Sequence, residues 1–245
     1  MRYAIISDIH ANLEALQATI TDLENQDVQQ IICLGDIVGY YPNPNECTEL
    51  CRARGFTCLR GNHDDAAVGN CGIEDFNPIA QAALRWTARN LKEVNKKWLL
   101  QLPEQFLDDH FLAVHGSPWD PYAYIFSAGS ASRAFLTLKS HYSQVNLCFF
   151  GHTHQRALYY TDEGSIHKTE GENKYRLGKT GRYLINPGSI GQARDGKPGA
   201  SYLIYDAERT EIEFRHVTYN LNLTQQKVVA AGLPQMLAER LSLGY

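Results

Sequence analysis

Five short apolar runs constrain the fold of this 245-residue chain more than any other feature, and they lie at residues 3–6, 31–34, 56–59, 111–114 and 147–150. Nearly continuous apolar runs of this length are typical of strands that are buried on both faces of a sheet. The first three alternate with segments of helical or loop character, which favours a largely parallel α/β arrangement. Because ligands in such sheets bind outside the carboxyl ends of the strands, the residues after each run are the first candidates for a functional site.

A side chain that can bind a metal ion follows every one of these runs. These side chains are Asp8 and His10 after the first run, Asp36 after the second, Asn62 after the third, His115 after the fourth, and His152 and His154 after the fifth. Carboxylate and imidazole groups together suit divalent ions of the Mn, Fe, Co or Zn type. Seven donors exceed what one tetrahedral ion needs, so the pattern favours two ions that share a bridging carboxylate over ordinary core histidines.

The tetrad Gly61-Asn62-His63-Asp64 follows the third run, where we expect a strand to end and a loop to begin. Taken alone, it is better explained as a polar turn in which Asn and Asp bond to their own backbone. The polar residues at the other four strand ends favour a chemical role instead. We therefore expect Gly61 to make the bend, Asn62 to bind metal and the imidazole of His63 to move a proton.

Asn12 stands at the start of an amphipathic helix that the apolar spacing predicts over residues 13–23. Its side chain is of a type that caps helices. The free N–H groups at this helix start would lie beside Asp8 and His10, where they could hold an anion. Asn12 is therefore one candidate for substrate binding.

The rest of the chain divides into a helical part and a second sheet. From residue 77 to Pro103 an apolar stripe predicts a core-facing helical region. Beyond residue 157 short strands predict an antiparallel second sheet, and the polar segment 162–182 is expected to be an exposed hairpin or loop whose role stays open. Helical spacing returns from Thr224 onward in two pieces.

The composition narrows the class of protein further. Lys and Arg number 23 against 27 Asp and Glu, and the net charge of −4 argues against a broad polyanion-binding face. The six cysteines form no C-x-x-C pair, as expected of reduced, buried thiols in the cytosol. No apolar run is long enough to cross a membrane, and the first residues do not have the pattern of a secretory signal. We therefore expect a cytoplasmic protein that forms a single domain over residues 1–245.

Two other classes of site lack their motifs in this chain. A zinc finger requires pairs of thiolates, which are missing. A serine hydrolase of the α/β type requires a G-x-S-x-G turn, which is also missing.

Five motifs of the chain occur in the order typical of the calcineurin-like metallophosphoesterase superfamily, which the chain therefore resembles. They are Asp8-x-His10, Gly35-Asp36, Gly61-Asn62-His63-Asp64, His115 and Gly151-His152-x-His154. Residues 35–40 and 186–189 resemble the small bacterial phosphodiesterase group, which includes diadenosine-tetraphosphatase-like members. The resemblance implies an α/β (α+β) fold, a four-layer α/β/β/α sandwich of two facing mixed β-sheets.

The resemblance also implies a role for each candidate residue. One ion would be held by Asp8, His10 and His154, the other by Asn62, His115 and His152, with Asp36 bridging the two. A metal-bridging hydroxide would attack phosphorus in line, His63 would protonate the leaving alkoxide or stabilise the charged transition state, and Asp64 would orient that imidazole. The two divalent cofactors would be of the Mn, Fe, Co, Ni or Zn type, with Mn expected to serve in vitro.

The leading hypothesis is a metal-dependent hydrolase that cleaves a small phosphodiester or a nucleotide-type phosphoanhydride. Arg194 and the aromatic loop 119–126 are candidate substrate contacts besides Asn12. A small phosphorylated molecule, possibly a nucleotide, is the expected partner, and neither a membrane nor a nucleic acid is expected. The sequence leaves the oligomeric state and the substrate itself open.

Three alternatives remain beside this hypothesis. A non-catalytic, partner-binding scaffold of the same fold would not need a proton donor such as His63 beside seven intact ligands. Protein Ser/Thr phosphatases of the superfamily carry an arginine after the bridging Asp and a Glu after the Asn-His pair, where this chain has Ile37 and Asp64. A nuclease is disfavoured by the net charge of −4 and by the lack of a basic run.

Overall fold

The computed structural model describes residues 1–169, 171–178 and 180–245. Within these ranges the chain forms twelve strands and eight helices. The strands are β1 (Arg2–Ile6), β2 (Gln30–Cys33), β3 (Thr57–Cys58), β4 (Gln105–Leu107), β5 (Leu112–Val114), β6 (Leu147–Phe149), β7 (Ala157–Asp162), β8 (Ser165–Thr169), β9 (Lys174–Arg176), β10 (Tyr183–Asn186), β11 (Ala200–Asp206) and β12 (Glu211–Val217). The helices are α1 (Leu13–Leu23), α2 (Pro44–Ala53), α3 (Asn62–Val68), α4 (Pro78–Asn90), α5 (Glu93–Leu100), α6 (Ala128–His141), α7 (Leu221–Ala230) and α8 (Gln235–Leu243).

The strands form two mixed sheets of six strands each. The first has the order β3-β2-β1-β11-β12-β9, in which β1, β2 and β3 are parallel and β11 is antiparallel to β1. The second has the order β4-β5-β6-β10-β7-β8, in which β5, β6 and β10 are parallel and β7 is antiparallel to β10. All five predicted apolar runs are thus strands of the parallel parts of the two sheets.

Three hydrophobic cores show that the sheets and helices are stacked in four layers. Side chains alternate along each strand, so in β1 Ile5 packs between the two sheets while Ile6 packs on the outer face. The core between the sheets also contains Phe149 of β6. The outer core of the first sheet includes Leu16 of α1, and that of the second sheet includes Leu138 of α6. The predicted α/β/β/α sandwich is therefore confirmed.

A fourth core joins the C-terminal helices to the loops above the first sheet. Leu237 and Leu241 of α8 and Val228 of α7 are buried with Tyr41 and with Ala83 of α4. Helices α7 and α8 form the two helical pieces that the sequence predicts after Thr224. The packing places the end of the chain beside the loops that follow the parallel strands.

The helical region before Pro103 differs from the prediction because it is broken into α4 and α5. Leu91 and Lys92 are extended, with ψ angles of 126° and 144°. The side chain of Asn45 stabilises this break, since it donates to the carbonyl of Asn90 and accepts from the N–H of Lys92. As a result Val94, predicted to face the core, is 55% exposed.

The polar segment 162–182 forms a hairpin at its start, as predicted, where β7 pairs with β8. The sequence did not predict that the chain then crosses to the first sheet, where β9 pairs with β12. Residues 170 and 179 of this segment lie outside the described residues. Strand β4 was also missed, because only three residues form it and two of these are exposed.

All six cysteines are free thiols, and five of them are buried, as the sequence predicts. Among the described residues no helix has both the length and the apolar character needed to cross a membrane.

Candidate metal centre

All seven predicted donors meet at one end of the two sheets, where the loops after the parallel strands converge. These loops are joined by backbone hydrogen bonds: the N–H of Asp8 donates to Gly35, and that of His10 donates to Asp36. Five of the donors have left-handed backbone, with φ of 55° at Asp8, 51° at His10, 55° at Asp36, 65° at His152 and 57° at His154. Non-glycine residues rarely adopt this conformation unless the surrounding structure requires it, and it is characteristic of functional sites.

The first group of donors consists of Asp8, His10, Asp36 and His154, whose ligand atoms all lie within 4.8 Å of one another. The Nε2 atoms of His10 and His154 are 3.0 Å apart, and Nε2 of His154 is 3.4 Å from Oδ1 of Asp8. Nδ1 of His10 lies 3.2 Å from the carbonyl of Val38, and Nδ1 of His154 lies 2.7 Å from that of Gln192. Protons on these two Nδ1 atoms leave both Nε2 lone pairs directed at the centre, as in metal-binding histidines.

The second group consists of Asp36, His115 and His152, joined by the amide of Asn62. Nε2 of His115 lies 3.0 Å from Oδ1 of Asn62 and 3.1 Å from Nδ1 of His152. Nδ1 of His115 lies 3.0 Å from the carbonyl of Leu34, which fixes the imidazole in the same way as in the first group. The two groups therefore have similar geometry and one residue in common.

Asp36 is that common residue. Its Oδ2 lies 3.5 Å from Nε2 of His10 and 3.5 Å from Nε2 of His115, while its Oδ1 accepts the N–H of His63. Oδ2 is buried without a hydrogen-bond partner, and so is Oδ1 of Asp8. Buried carboxylate oxygens without a partner are rare and costly. Divalent cations would satisfy both oxygens, so the residues present fit a metal site.

Burial also sets the protonation of the donors. It raises the pKa of Asp8 to about 7 and raises the pKa of Asp36 well above that of a free Asp. It lowers the pKa values of His10, His152 and His154 well below that of a free His. The imidazoles are therefore neutral, the form that binds metal, and a cation would restore the charge of the carboxylates.

His63 lies beside the two groups but belongs to neither. Its ring packs edge-on against His10 at 4.7 Å and against Phe76 at 5.0 Å between ring centroids, and Tyr40 lies at 4.5 Å. Its Nδ1 is buried without a hydrogen-bond partner. Burial, followed by the charge of Arg194, lowers the pKa of His63 well below its usual value. A neutral imidazole still carries one N–H, which it can donate to a bound substrate.

The structure corrects the predicted role of Asp64. Its carboxylate accepts the N–H of Val38 at 3.0 Å and the N–H of Gly61 at 3.0 Å, and among the described residues it makes no hydrogen bond to the imidazole of His63. Asp64 is the third residue of α3, so it satisfies an N–H that the helix start leaves free. It fixes the loop and the helix around His63 rather than the ring itself.

The tetrad also begins a helix rather than a loop. Gly61 precedes α3 with extended backbone (φ −98°, ψ 173°), so it does not provide the bend that we predicted. Its lack of a side chain matters for another reason, because a Cβ there would lie 2.1 Å from Oδ1 of Asp36. Gly61 is required so that α3 can approach the carboxylate of Asp36.

Gly39 offers a test of how His63 is positioned. A Cβ at Gly39, where φ is +97°, would lie 2.5 Å from Nδ1 of His63. We expect Gly39→Ala to displace the imidazole and to lower kcat by about 10²-fold, within the range for loss of an acid–base catalyst. The measurement is steady-state hydrolysis of bis(p-nitrophenyl) phosphate by the metal-loaded protein.

Gly55→Ala is the matched control for this substitution. Gly55 also has positive φ, +66°, but nothing lies within 4 Å of its added Cβ. The Gly55→Ala variant therefore has the same kind of backbone strain as Gly39→Ala but no steric clash. Its activity should stay within about 2-fold of wild type, because this strain costs only about 1–3 kcal/mol of stability. Equal losses in both variants would show that strain, and not the contact with His63, is responsible.

The structure also corrects the prediction that Asn12 binds substrate. Its Oδ1 accepts the N–H of Ala15, which confirms it as the N-cap of α1. Its Nδ2 donates to the carbonyl of Gly191 at 2.9 Å and to the hydroxyl of Tyr219 at 3.0 Å. The side chain is fully buried, so no polar atom is free to reach a substrate.

A pocket of about 840 Å³ opens over the donor groups and contains several of the predicted residues. It is lined by Asp36, Tyr40, Asn62, His63, Cys71, Gly72, Glu74, Asp75, Phe76, Asn77, Tyr122, Tyr124, His152, His154, Arg194 and Arg240. Tyr124 of the aromatic loop stacks on His152 with 3.9 Å between ring centroids, whereas Trp119 and Phe126 are not in the lining. The volume is typical of sites for ligands of nucleotide size.

Several residues of this pocket were not singled out from the sequence, among them Arg240, Tyr40 and Phe76. Arg240 lies on α8, far along the chain from the strand ends, and nothing in its helical pattern distinguishes it from a surface arginine. Tyr40 lies within the segment 35–40, which the resemblance had singled out, and that signal could have identified it.

The two facing sheets and the paired donor groups at their carboxyl ends define a metal-dependent phosphoesterase. A family model of the calcineurin-like phosphoesterase superfamily domain matches residues 1–210, and the chain belongs to this family. The sequence-based resemblance to the superfamily is therefore confirmed.

The chain is also similar in sequence or fold to other proteins. An uncharacterised protein of Methanocaldococcus jannaschii is 38% identical over 247 residues, covering 98% of this chain and 97% of its own. The crystal structure of a metallophosphoesterase from Sphaerobacter thermophilus is 39% identical, covers 100% of this chain and 99% of its own, and has a TM-score of 0.87. A putative diadenosine tetraphosphatase shares the fold at 15% identity and a TM-score of 0.51, covering 89% of this chain and 94% of its own.

Proposed function

We propose that the protein hydrolyses a small phosphodiester or nucleotide-type phosphoanhydride at a centre of two divalent metal ions. The position of Asp36 carries this proposal. Its unpartnered Oδ2 lies 3.5 Å from an imidazole nitrogen of each donor group, which is the arrangement that a bridging carboxylate needs. A single-metal site would not require a second complete group around His115.

The proposed ligands follow from the two groups. Asp8, His10 and His154 would hold one ion, Asn62, His115 and His152 would hold the other, and Asp36 would contribute to both. When bound, such a pair of ions supplies an activated water and neutralises charge on the phosphate. The protein adds a rigid arrangement of neutral imidazoles, whose second nitrogens are fixed by backbone carbonyls.

His63 is the proposed catalytic residue. Its ring lines the pocket next to His10 of the first group, and aromatic packing fixes its orientation. From there its N–H donates to a phosphoryl oxygen or transfers a proton to the leaving oxygen, opposite to the attacking water in an in-line displacement. Asp64 acts as a positioning residue through the backbone of Gly61 and Val38.

The pocket favours an enzyme over a partner-binding scaffold. A scaffold gains nothing from buried carboxylate oxygens that lack partners, because each of them destabilises the folded chain. The lining also contains Glu74 and Asp75, which would repel an extended polyanion such as a nucleic acid. A small substrate fits these observations better than a nucleic acid does.

The proposal predicts a strict requirement for divalent metal. Protein stripped with a chelator should hydrolyse bis(p-nitrophenyl) phosphate at least about 10³-fold more slowly than protein reloaded with Mn²⁺, since each ion contributes several kcal/mol. Elemental analysis should find two ions per chain, and reloading should raise Tm because the ions bind the native state. Full activity in the stripped protein, or one ion per chain at saturation, would contradict it.

Manganese as the metal, a cytoplasmic location and a single domain over residues 1–245 stay predictions.

A further inference from the structure

Two arginines, Arg194 and Arg240, line the pocket above the donor groups. Among the described residues, neither guanidinium has an Asp or Glu carboxylate within 4 Å, whereas Arg60 is paired with Asp65 and Arg215 with Asp22. Arginines that line a pocket without a carboxylate partner leave positive charge available to a bound anion.

Arg194 is held in place by neutral groups. Its backbone N–H donates to the carbonyl of His154 at 3.3 Å, which ties it to the first donor group. Its guanidinium donates to Oε1 of Gln192 and, at 3.3 Å, to the hydroxyl of Tyr40. These contacts orient the guanidinium, and none of these partners is a carboxylate.

Arg240 reaches the same pocket from α8, which lies beyond the residues that the family model matches. The helix is anchored because Leu237 and Leu241 are buried and the carbonyl of Gly244 accepts the N–H of Gly196 at 2.9 Å. Nε of Arg240 donates to the main-chain oxygen of Tyr245. Its two terminal nitrogens make no hydrogen bond to any described residue.

The two positive charges act on each other. Burial, followed by the charge of Arg194, lowers the pKa of Arg240. Two guanidinium groups that line one pocket repel each other, and an anion bound between them would offset this repulsion. The fork of a guanidinium matches the oxygens of a phosphate in a bidentate manner.

We propose that Arg194 and Arg240 bind a second phosphate group of the substrate, next to the phosphate that the metal centre cleaves. The substrate class is thereby narrowed to molecules with adjacent phosphates, such as nucleoside polyphosphates, and this inference rests on the proposed function. Aromatic side chains of the same pocket, Phe76 and Tyr124, offer surfaces for the remainder of such a molecule.

The test compares two ligands that differ by one phosphate-like group and contain no bond that the enzyme can hydrolyse. Methylphosphonate and methylenediphosphonate are titrated calorimetrically into the Mn²⁺-loaded protein at saturating Mn²⁺. Wild type should bind methylenediphosphonate more tightly than methylphosphonate. Arg240→Met should lower the ratio of diphosphonate affinity to monophosphonate affinity by about 10- to 100-fold, which is the effect expected from the loss of a hydrogen bond to a charged group. Arg240→Lys keeps the charge but loses the fork, so its ratio should be intermediate.

Two further variants complete the design. Arg194→Met should lower the same ratio, so the inference can be tested even if Arg240→Met does not fold. Arg52→Met is the matched control, because Arg52 is exposed on α2 and outside this pocket, and it should leave the ratio unchanged. A wild-type protein without preference, or an unchanged ratio in the Arg240 and Arg194 variants, would overturn the inference.

Turnover gives a second readout. The ratio of kcat/KM for diadenosine tetraphosphate to that for bis(p-nitrophenyl) phosphate should fall about 10-fold or more in Arg240→Met. Equal losses on both substrates would mean that Arg240 only supports the structure of the site. If wild type hydrolyses neither substrate, the proposed function fails, whereas the affinity ratio still decides whether the arginine pair binds a second phosphate.

Discussion

His63→Ala should abolish most turnover while leaving two metal ions bound. The imidazole belongs to neither donor group, and among the described residues the one hydrogen bond from residue 63 to the centre is its backbone N–H to Oδ1 of Asp36, which alanine retains. Loss of an acid–base catalyst lowers kcat by about 10²- to 10⁴-fold. The measurements are kcat on bis(p-nitrophenyl) phosphate and the metal content of the purified variant.

Asn62→Ala is the matched comparison for this prediction. Its Oδ1 lies 3.0 Å from Nε2 of His115 in the second group, so its loss should reduce the occupancy of one ion and leave the other bound. Both substitutions lie in the first turn of α3, so any general effect on that helix is shared. Equal loss of metal from the two variants would show that the roles of the neighbouring residues have been divided wrongly.

Asp36→Asn should have the largest effect on metal binding. The amide can still accept the N–H of His63 through Oδ1, but it cannot provide a negatively charged oxygen between His10 and His115. We expect fewer than one ion per chain under conditions that load two into wild type. Activity should fall at least about 10⁴-fold, since two ions together contribute more than 5 kcal/mol to the transition state.

The stability of the same variant provides an independent readout. Without metal, Asp36→Asn removes a buried carboxylate that has no partner for Oδ2, so its Tm should equal or exceed that of metal-free wild type. Addition of Mn²⁺ should raise the Tm of wild type but not that of the variant. Asp162→Asn at the exposed end of β7 is the control and should behave like wild type. A variant that binds two ions with unchanged affinity would contradict the bridging role.

The recurrence of ligand-type residues at strand ends made the centre predictable. Asp8, Asp36 and His115 each follow a buried apolar run, and parallel strands bring such ends together in space. Local periodicity was sufficient for α1, α7 and α8 because their apolar faces repeat at helical spacing. The break between α4 and α5 was not predictable, since it depends on Asn45 from another helix.

The chemical type of a residue did not determine its partner. Asp64 beside His63 suggested an orienting carboxylate, yet in the fold its carboxylate accepts the backbone N–H groups of Val38 and Gly61. Asn12 was predicted both to cap α1 and to bind substrate. Its side chain caps α1 and donates to Gly191 and Tyr219, so neither of its polar atoms is available to a substrate. In both cases at least one of the competing hydrogen-bond groups comes from a distant part of the chain, Val38 for Asp64 and Gly191 and Tyr219 for Asn12.

The sequence by itself determined the buried apolar strands and the seven candidate ligands at their ends, because strand patterns and ligand types are local properties of the chain. The sandwich of two mixed sheets followed only from the resemblance to the superfamily. Only the tertiary structure decided how Asp36 lies between two imidazole groups, why His10 and Asp36 adopt left-handed backbone, and that Arg240 reaches the pocket. These features depend on long-range packing, in which separate loops and the C-terminal helix impose positions that no local preference specifies.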